Sequence, residues 1–104
     1  MNYKDEFPAF DDVLPTLEGF EDSSWHNDSC PSLGKDLGDD NYLQVFVDWK
    51  NKEMSDFADL MGDQYKRFVV MISFSNGCTE DILMTDDWDD VVFLTKNFSF
   101  KEQA

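Results

Sequence analysis

The densest run of chemically capable side chains is Ser23-Ser24-Trp25-His26-Asn27-Asp28-Ser29-Cys30-Pro31-Ser32. It holds the only histidine and one of the two cysteines. A Cys–His or Ser–His site needs nucleophile and base in hydrogen-bond contact, with a third group orienting the base. The residue types are present, but closeness in the chain does not create that geometry. The local signatures that surround reactive cysteines are missing. Zinc asks for three or four ligands, and His26, Cys30, Cys78 and Asp28 is the set on offer. The expectation is a structural role. Trp25 plugs the core, and the Ser, Asn and Asp side chains satisfy the backbone of an irregular turn. No enzyme chemistry, metal or cofactor is expected.

A second constellation is acidic: Asp86, Asp87, Asp89 and Asp90 surround Trp88. The plain reading is electrostatic, because carboxylates in a first helical turn interact favourably with the helix N-terminus. The functional reading comes from helical phase. At about 100° per residue, Asp86, Asp89, Asp90 and Phe93 lie opposite Trp88 and Val91–Val92. An exposed aromatic ringed by acids is an interface anchor for a basic groove. Asp36, Asp39 and Asp40 form a second acidic patch. Neither group has the alternating oxygen ligands, sixth-position glycine and twelfth-position glutamate of an EF-hand loop.

The whole chain shares this character. Its 104 residues carry 23 Asp and Glu against 8 Lys and Arg, a net charge of −15. Residues 1–50 hold twelve acids and three bases; residues 51–104 hold eleven and five. The imbalance is therefore threaded through the chain. Such a field repels nucleic acid and anionic membranes and attracts basic partners. Lys66-Arg67 is the only adjacent basic pair. No Gly-rich phosphate loop or dinucleotide fingerprint occurs. Solubility is the competing reason for the charge. Met1–Phe10 has no apolar run of a signal peptide, and no stretch approaches the roughly 20 apolar residues of a membrane span. Cys30 and Cys78 lack partner spacing, so two free thiols in a reducing cytoplasm are expected, with one disulfide as the alternative.

The elements that position these residues read as one domain, 1–104. Residues 1–41 hold all three prolines and Gly19, Gly34 and Gly38, yet also Phe7, Phe10, Leu14, Leu17 and Phe20. They are predicted to form a packed, loop-rich arm. Tyr42–Trp49 alternates as a strand, with Leu43, Val45, Val47 and Trp49 on one face. Ser55–Met61 reads as a short helix capped by Ser55 and stopped by Gly62, with Phe57, Leu60 and Met61 sharing a face. Tyr65–Phe74 is a strand. Asn76-Gly77 predicts a two-residue hairpin loop pairing Ser75 with Cys78, Met71 with Ile82 and Val69 with Met84. Both faces of that strand are apolar near Tyr65, which predicts cover on both. Residues 85–98 read as a helix capped by Thr85 or Asp86, burying Trp88, Val91, Val92 and Thr95. A strand at Val91–Leu94 is its rival, because consecutive β-branched residues weaken a helix.

The fold class expected is α+β: a three-stranded antiparallel meander over 42–84, a C-terminal helix packed on it, and a loop-rich N-terminal arm. The function expected is that of an acidic inhibitor, nucleic-acid-mimicking or immunity/antitoxin-like. It blocks the basic nucleic-acid-binding surface of a partner enzyme through Asp86, Asp89, Asp90, Phe93, Asp36, Asp39 and Asp40. It touches neither nucleic acid nor membrane itself. The alternative is a small structural or adaptor domain of a bacterial complex, meeting its partner through a sheet edge or the arm. Composition fixes no oligomeric state.

Overall fold

Two tight turns organise the sheet in a computed structural model that describes residues 2–98, apart from the Phe57 side chain. The first joins β2 (Ser32–Gly38) to β3 (Asn41–Val47). Its central residues Asp39 and Asp40 have φ of 54° and 64°. That is the type I′ pattern, which matches strand twist and which Asp tolerates better than most residues. The second joins β4 (Phe68–Ser73) to β5 (Thr79–Thr85). With the two-residue β1 (Glu21–Asp22), these strands form a five-stranded antiparallel sheet in the order β1-β2-β3-β4-β5.

The three-strand expectation is thus corrected. β1 and β2 lie inside the segment read as arm. Ser-Leu-Gly-Lys-Asp-Leu-Gly has two glycines and no β-branched residue, so its local propensity is poor. Pairing with β3 makes it a strand: Leu33 lies opposite Val45, and Lys35 opposite Leu43.

The second hairpin also departs from its predicted register. Phe74 N–H donates to the Cys78 carbonyl, and Gly77 N–H to the Phe74 carbonyl. The loop is therefore three residues, Ser75–Gly77, with Gly77 at φ 88°. Near the turn Ser73 pairs with Thr79 and Met71 with Asp81. A bulge at Ile82 then absorbs the extra residue. Beyond it Val70 pairs with Leu83 and Val69 with Met84, as the two-residue loop predicts.

One face of the sheet is the core. Leu33, Leu43, Val45, Val47, Phe68, Val70 and Ile72 are buried there with Leu14 from the arm and Val91 from the C-terminal helix. That helix, α3 (Trp88–Asn97), is capped by Asp87, one residue later than predicted, with the Asp87 side chain accepting from Asp89 N–H. Its buried face is rotated from the predicted one. Val91 is fully buried, Trp88 packs edge-on against Phe68 at 5.1 Å, and Leu94 adds to the core. Val92 is exposed instead. No strand forms at Val91–Leu94.

The arm is tied down largely by carboxylates. α1 (Tyr3–Glu6) is fixed where Asp22 accepts from Tyr3 N–H at 2.7 Å. Asp11 accepts from Lys50 and Asn51 N–H at 2.8 and 2.7 Å. Asp12 pairs with the Arg67 guanidinium at 2.8 Å. Trp49, predicted on the core face of β3, lies just beyond the strand and packs against Phe7 and Phe10 of the arm. The β3–β4 crossover carries α2 (Asp56–Met61), capped by Ser55 as predicted. Buried Asp48 anchors this crossover by accepting from Ser55 and Tyr65 hydroxyls and from Trp49 N–H.

Candidate functional site

Of the residues expected to meet a partner, Phe93 is placed most clearly. Its side chain is 71% exposed on α3. Asp89 and Asp90 lie four and three positions before it, which sets them beside it on the same helical face. Both are exposed, as is Asp86 just before the helix.

The four acids do different things. Asp87 caps α3. Asp86 accepts from Arg67 N–H at 2.9 Å and pairs loosely with Lys66 at 3.6 Å. Asp90 accepts from the Thr85 hydroxyl at 2.7 Å. Asp89 offers a carboxylate that makes no hydrogen bond or ion pair with the described residues. Asp87 and Asp90 serve the start of the helix and Asp86 ties down Lys66–Arg67, so three of the four have structural tasks, and the exposed apolar–acidic surface centres on Phe93 and Asp89, with Asp90 beside them.

Asp36, Asp39 and Asp40 sit at the β2–β3 turn, all exposed. Asp36 accepts from Gly38 N–H at 2.8 Å and so shapes the turn. The structure does not join this patch to the first. α3 begins where β5 ends, beside the start of β4, whereas the β2–β3 turn lies at the other end of the strands. Seven-residue strands rising about 3.3 Å per residue separate them by roughly 20 Å.

A patch absent from the expectation appears instead on α2. Leu60, predicted to share a helix face with Phe57 and Met61, is 80% exposed. Asp56, Asp59 and the following Asp63 are exposed around it. The α2 crossover leaves β3 and enters β4 at the same sheet end where α3 starts. The sequence signal was partial: Asp56, Asp59 and Leu60 fall at helical spacing, whereas Asp63 lies past Gly62, where the helix stops. A helix of six residues contributes too little burial for the amphipathic rule to decide its orientation.

The Trp25–Cys30 segment forms no nucleophilic site. His26 Nδ1 contacts Glu6 Oε1 at 3.1 Å, and its backbone N–H donates to the same oxygen at 3.2 Å. That bond to His26 holds the Glu6 carboxyl below its usual range. Cys30 is buried, and burial pushes its thiol well above the usual value, with Asp48 adding to the effect. It is kept protonated and unreactive. Trp25 is 41% exposed rather than a core plug, and it rests against His26 with ring centroids 4.4 Å apart. The serines behave as expected: Ser24 Oγ accepts from Ser32 N–H, and Ser32 Oγ donates to the Ser23 carbonyl. Both cysteines are free, Cys78 at the exposed hairpin tip.

Among the described residues, no three His, Cys, Asp or Glu side chains gather into a metal-holding group. No helix among them is long and apolar enough to cross a membrane. Comparison with protein-family models, curated proteins and solved structures found no match to this chain.

Proposed function

We propose that this protein is a cytoplasmic inhibitor that binds a basic, nucleic-acid-binding surface of a partner enzyme and blocks it. One observation carries the reading: Phe93 stands exposed on α3 with Asp89 and Asp90 one turn before it. A large exposed aromatic has a solvation cost that binding removes. The acids beside it favour a groove lined by Lys and Arg. The −15 net charge steers that groove toward the protein and accelerates encounter, an effect that salt screens. The exposed acids of α2 extend the same end of the molecule.

The adaptor reading draws on a specific observation too. Asp86, Asp87 and Asp90 each have a structural task, so part of the acidity needs no partner to explain it. The two readings separate experimentally. The tagged protein is used to capture partners from its native lysate, and each is then challenged with duplex DNA or RNA and with salt. Inhibition predicts a nucleic-acid enzyme that nucleic acid displaces, that elutes as salt rises, and that Phe93→Ala releases. A partner held regardless of salt and nucleic acid refutes the inhibitor mechanism.

A further inference from the structure

The sheet has two faces, and α3 and the apolar side chains of the arm pack on the one bearing Leu43, Val45 and Val47. The opposite face changes character across its width. Over β2 and β3 it is polar and closed: Ser23 Oγ meets Tyr42 Oη at 2.7 Å, and Gln44 Nε2 donates to Ser32 Oγ at 3.0 Å. Over β3 to β5 it is apolar. Phe46 lies opposite Val69, and Val69 opposite Met84. Phe46, Met71 and Met84 are half-buried, and no described helix packs over them. Near the Tyr65 end both faces of β4 are covered, as predicted, since Val69 is buried on this face and Phe68 and Val70 on the other; the opening lies farther along, at half-buried Met71. A concavity of about 220 Å³ opens among Phe46, Val69 and Met71, with Cys30, Arg67 and Asp81 at its margin.

We propose that this face docks a basic segment of a partner protein, with an apolar side chain filling the concavity and a neighbouring Lys or Arg pairing with Asp81. The charges at the margin select that occupant. Arg67 is already committed, through Nε to the Asp48 carbonyl at 3.0 Å and through its guanidinium to Asp12. Asp81 is exposed and makes no hydrogen bond or ion pair with the described residues. The uncommitted charge at the margin is therefore negative. A second copy of the chain is disfavoured, because pairing would set two bodies of charge −15 and two copies of Asp81 against each other. Strand addition at β5 is blocked by the Ile82 bulge and the exposed Glu80 and Asp81, the usual guards of an edge. The floor suits a side chain of varied shape, since the flexible thioether of Met71 repacks readily. This face is opposite α3, so the proposal stands apart from the Phe93 surface.

The test follows methionine methyl resonances during titration with a short peptide whose Leu-Phe centre is flanked by lysines. A glutamate-flanked counterpart is the control. The lysine peptide is expected to move Met71 and Met84. Asp81→Lys and Met71→Lys are each expected to weaken it about tenfold or more, as loss of an interface contact does. Phe93→Ala leaves it unchanged. Should Met71→Lys disturb folding, Asp81→Lys, at an exposed position, still decides. Three results overturn the proposal. The peptide shifts could be confined to α3 and α2. Free indole could move Met71 and Met84 where the peptide does not, marking a small-molecule cavity. The Met71 signal could broaden with protein concentration alone, marking self-association.

Discussion

Phe93 and Val91 stand two residues apart on α3, one 71% exposed and the other fully buried. Truncating each to alanine separates a surface anchor from a core residue. Complete burial of a phenylalanine stabilises by about 1.5–3 kcal/mol, so the covered third of Phe93 contributes under about 1 kcal/mol. Alanine recovers roughly half a kcal/mol through better helix propensity. The net loss for Phe93→Ala is then about 0.5 kcal/mol or less. Val91→Ala removes two carbons from a closed site, costing about 0.8 kcal/mol each in transfer plus a cavity term, about 2–3 kcal/mol together. For a domain of this size those losses move Tm by a few degrees and by roughly 10–20 °C respectively. Urea unfolding followed by tryptophan fluorescence measures both, with an unchanged m confirming that only stability shifted. If Phe93 anchors a partner, Phe93→Ala costs binding about 2 kcal/mol, near thirtyfold, while stability holds. Equal destabilisation by the two variants would show that Phe93 is a packing residue and remove the basis of the proposed interface.

Other substitutions probe what positions that surface. A Cβ on Gly34 would lie 1.8 Å from Tyr42 Oη and 2.5 Å from Ser23 Oγ, so Gly34→Ala is expected to cost about 1–3 kcal/mol in urea melts. Combined with Tyr42→Ala it should cost less than the two single losses added, because the clash disappears. Asp48→Ala takes a buried acceptor from the Ser55 and Tyr65 hydroxyls and from Trp49 N–H. A loss of about 3 kcal/mol or more is expected, with Asp48→Asn in between. Asp12 and Asp28 should respond oppositely to pH. The Arg67 guanidinium lowers Asp12 from its usual 3.8, so its stabilisation is present above that value and fades as pH falls through the folded one. Burial raises Asp28, so its charged form costs stability at neutral pH and the cost fades on acidification. Thermal melts should show Asp12→Asn lowering Tm and Asp28→Asn raising it at about pH 7; the Asp28 difference should be gone below its usual 3.8, whereas the Asp12 difference should persist through that value and fade only at lower pH.

Much of the fold is legible where pattern and turn chemistry agree. β3 alternates along its length, and its buried side chains Leu43, Val45 and Val47 are those that alternation selects. Val69 meets Met84 as a tight Asn-Gly hairpin implies, although a longer loop and a compensating bulge produce the match. β2 was hidden because pairing, a non-local effect, overrides its weak propensity. The phase of α3 failed by one position at Val92. Hydrophobic periodicity marks an apolar stripe, but which edge of it is buried depends on how the helix crosses β4 and β5. The exposure of Phe93 was legible because it lies far from either edge of that stripe. The exposure of Leu60 was not, since an apolar residue on a short helix is read as core unless its neighbours say otherwise. The half-covered face of β3–β5 was hidden for a related reason: Phe46, Met71 and Met84 look the same in sequence whether a helix or a partner covers them.

The acids, read as one class from composition, divide in the structure into two. Asp11, Asp12, Asp22, Asp36, Asp48, Asp86, Asp87 and Asp90 accept hydrogen bonds from backbone or side-chain donors, and several of these ties hold the arm to the sheet. Charge spent this way is compensated locally and projects little toward a partner. Asp56, Asp59, Asp63, Asp81 and Asp89 are exposed and make no such bond with the described residues. Their field reaches solvent, screened over about 8–10 Å at physiological salt. A partner steered by this protein is steered mainly by the second set. Asp39 and Asp40 also keep exposed carboxylates without such a bond among the described residues, so the balance moves from Asp36 and Asp86 toward Asp89, the α2 acids and Asp81. Each of these adjoins an apolar group that is exposed, as Phe93 and Leu60 are, or half-buried, as Met71 is. Uncommitted charge beside uncovered apolar surface is the arrangement that recognition needs. Solubility alone gives no reason for the two to coincide at three places.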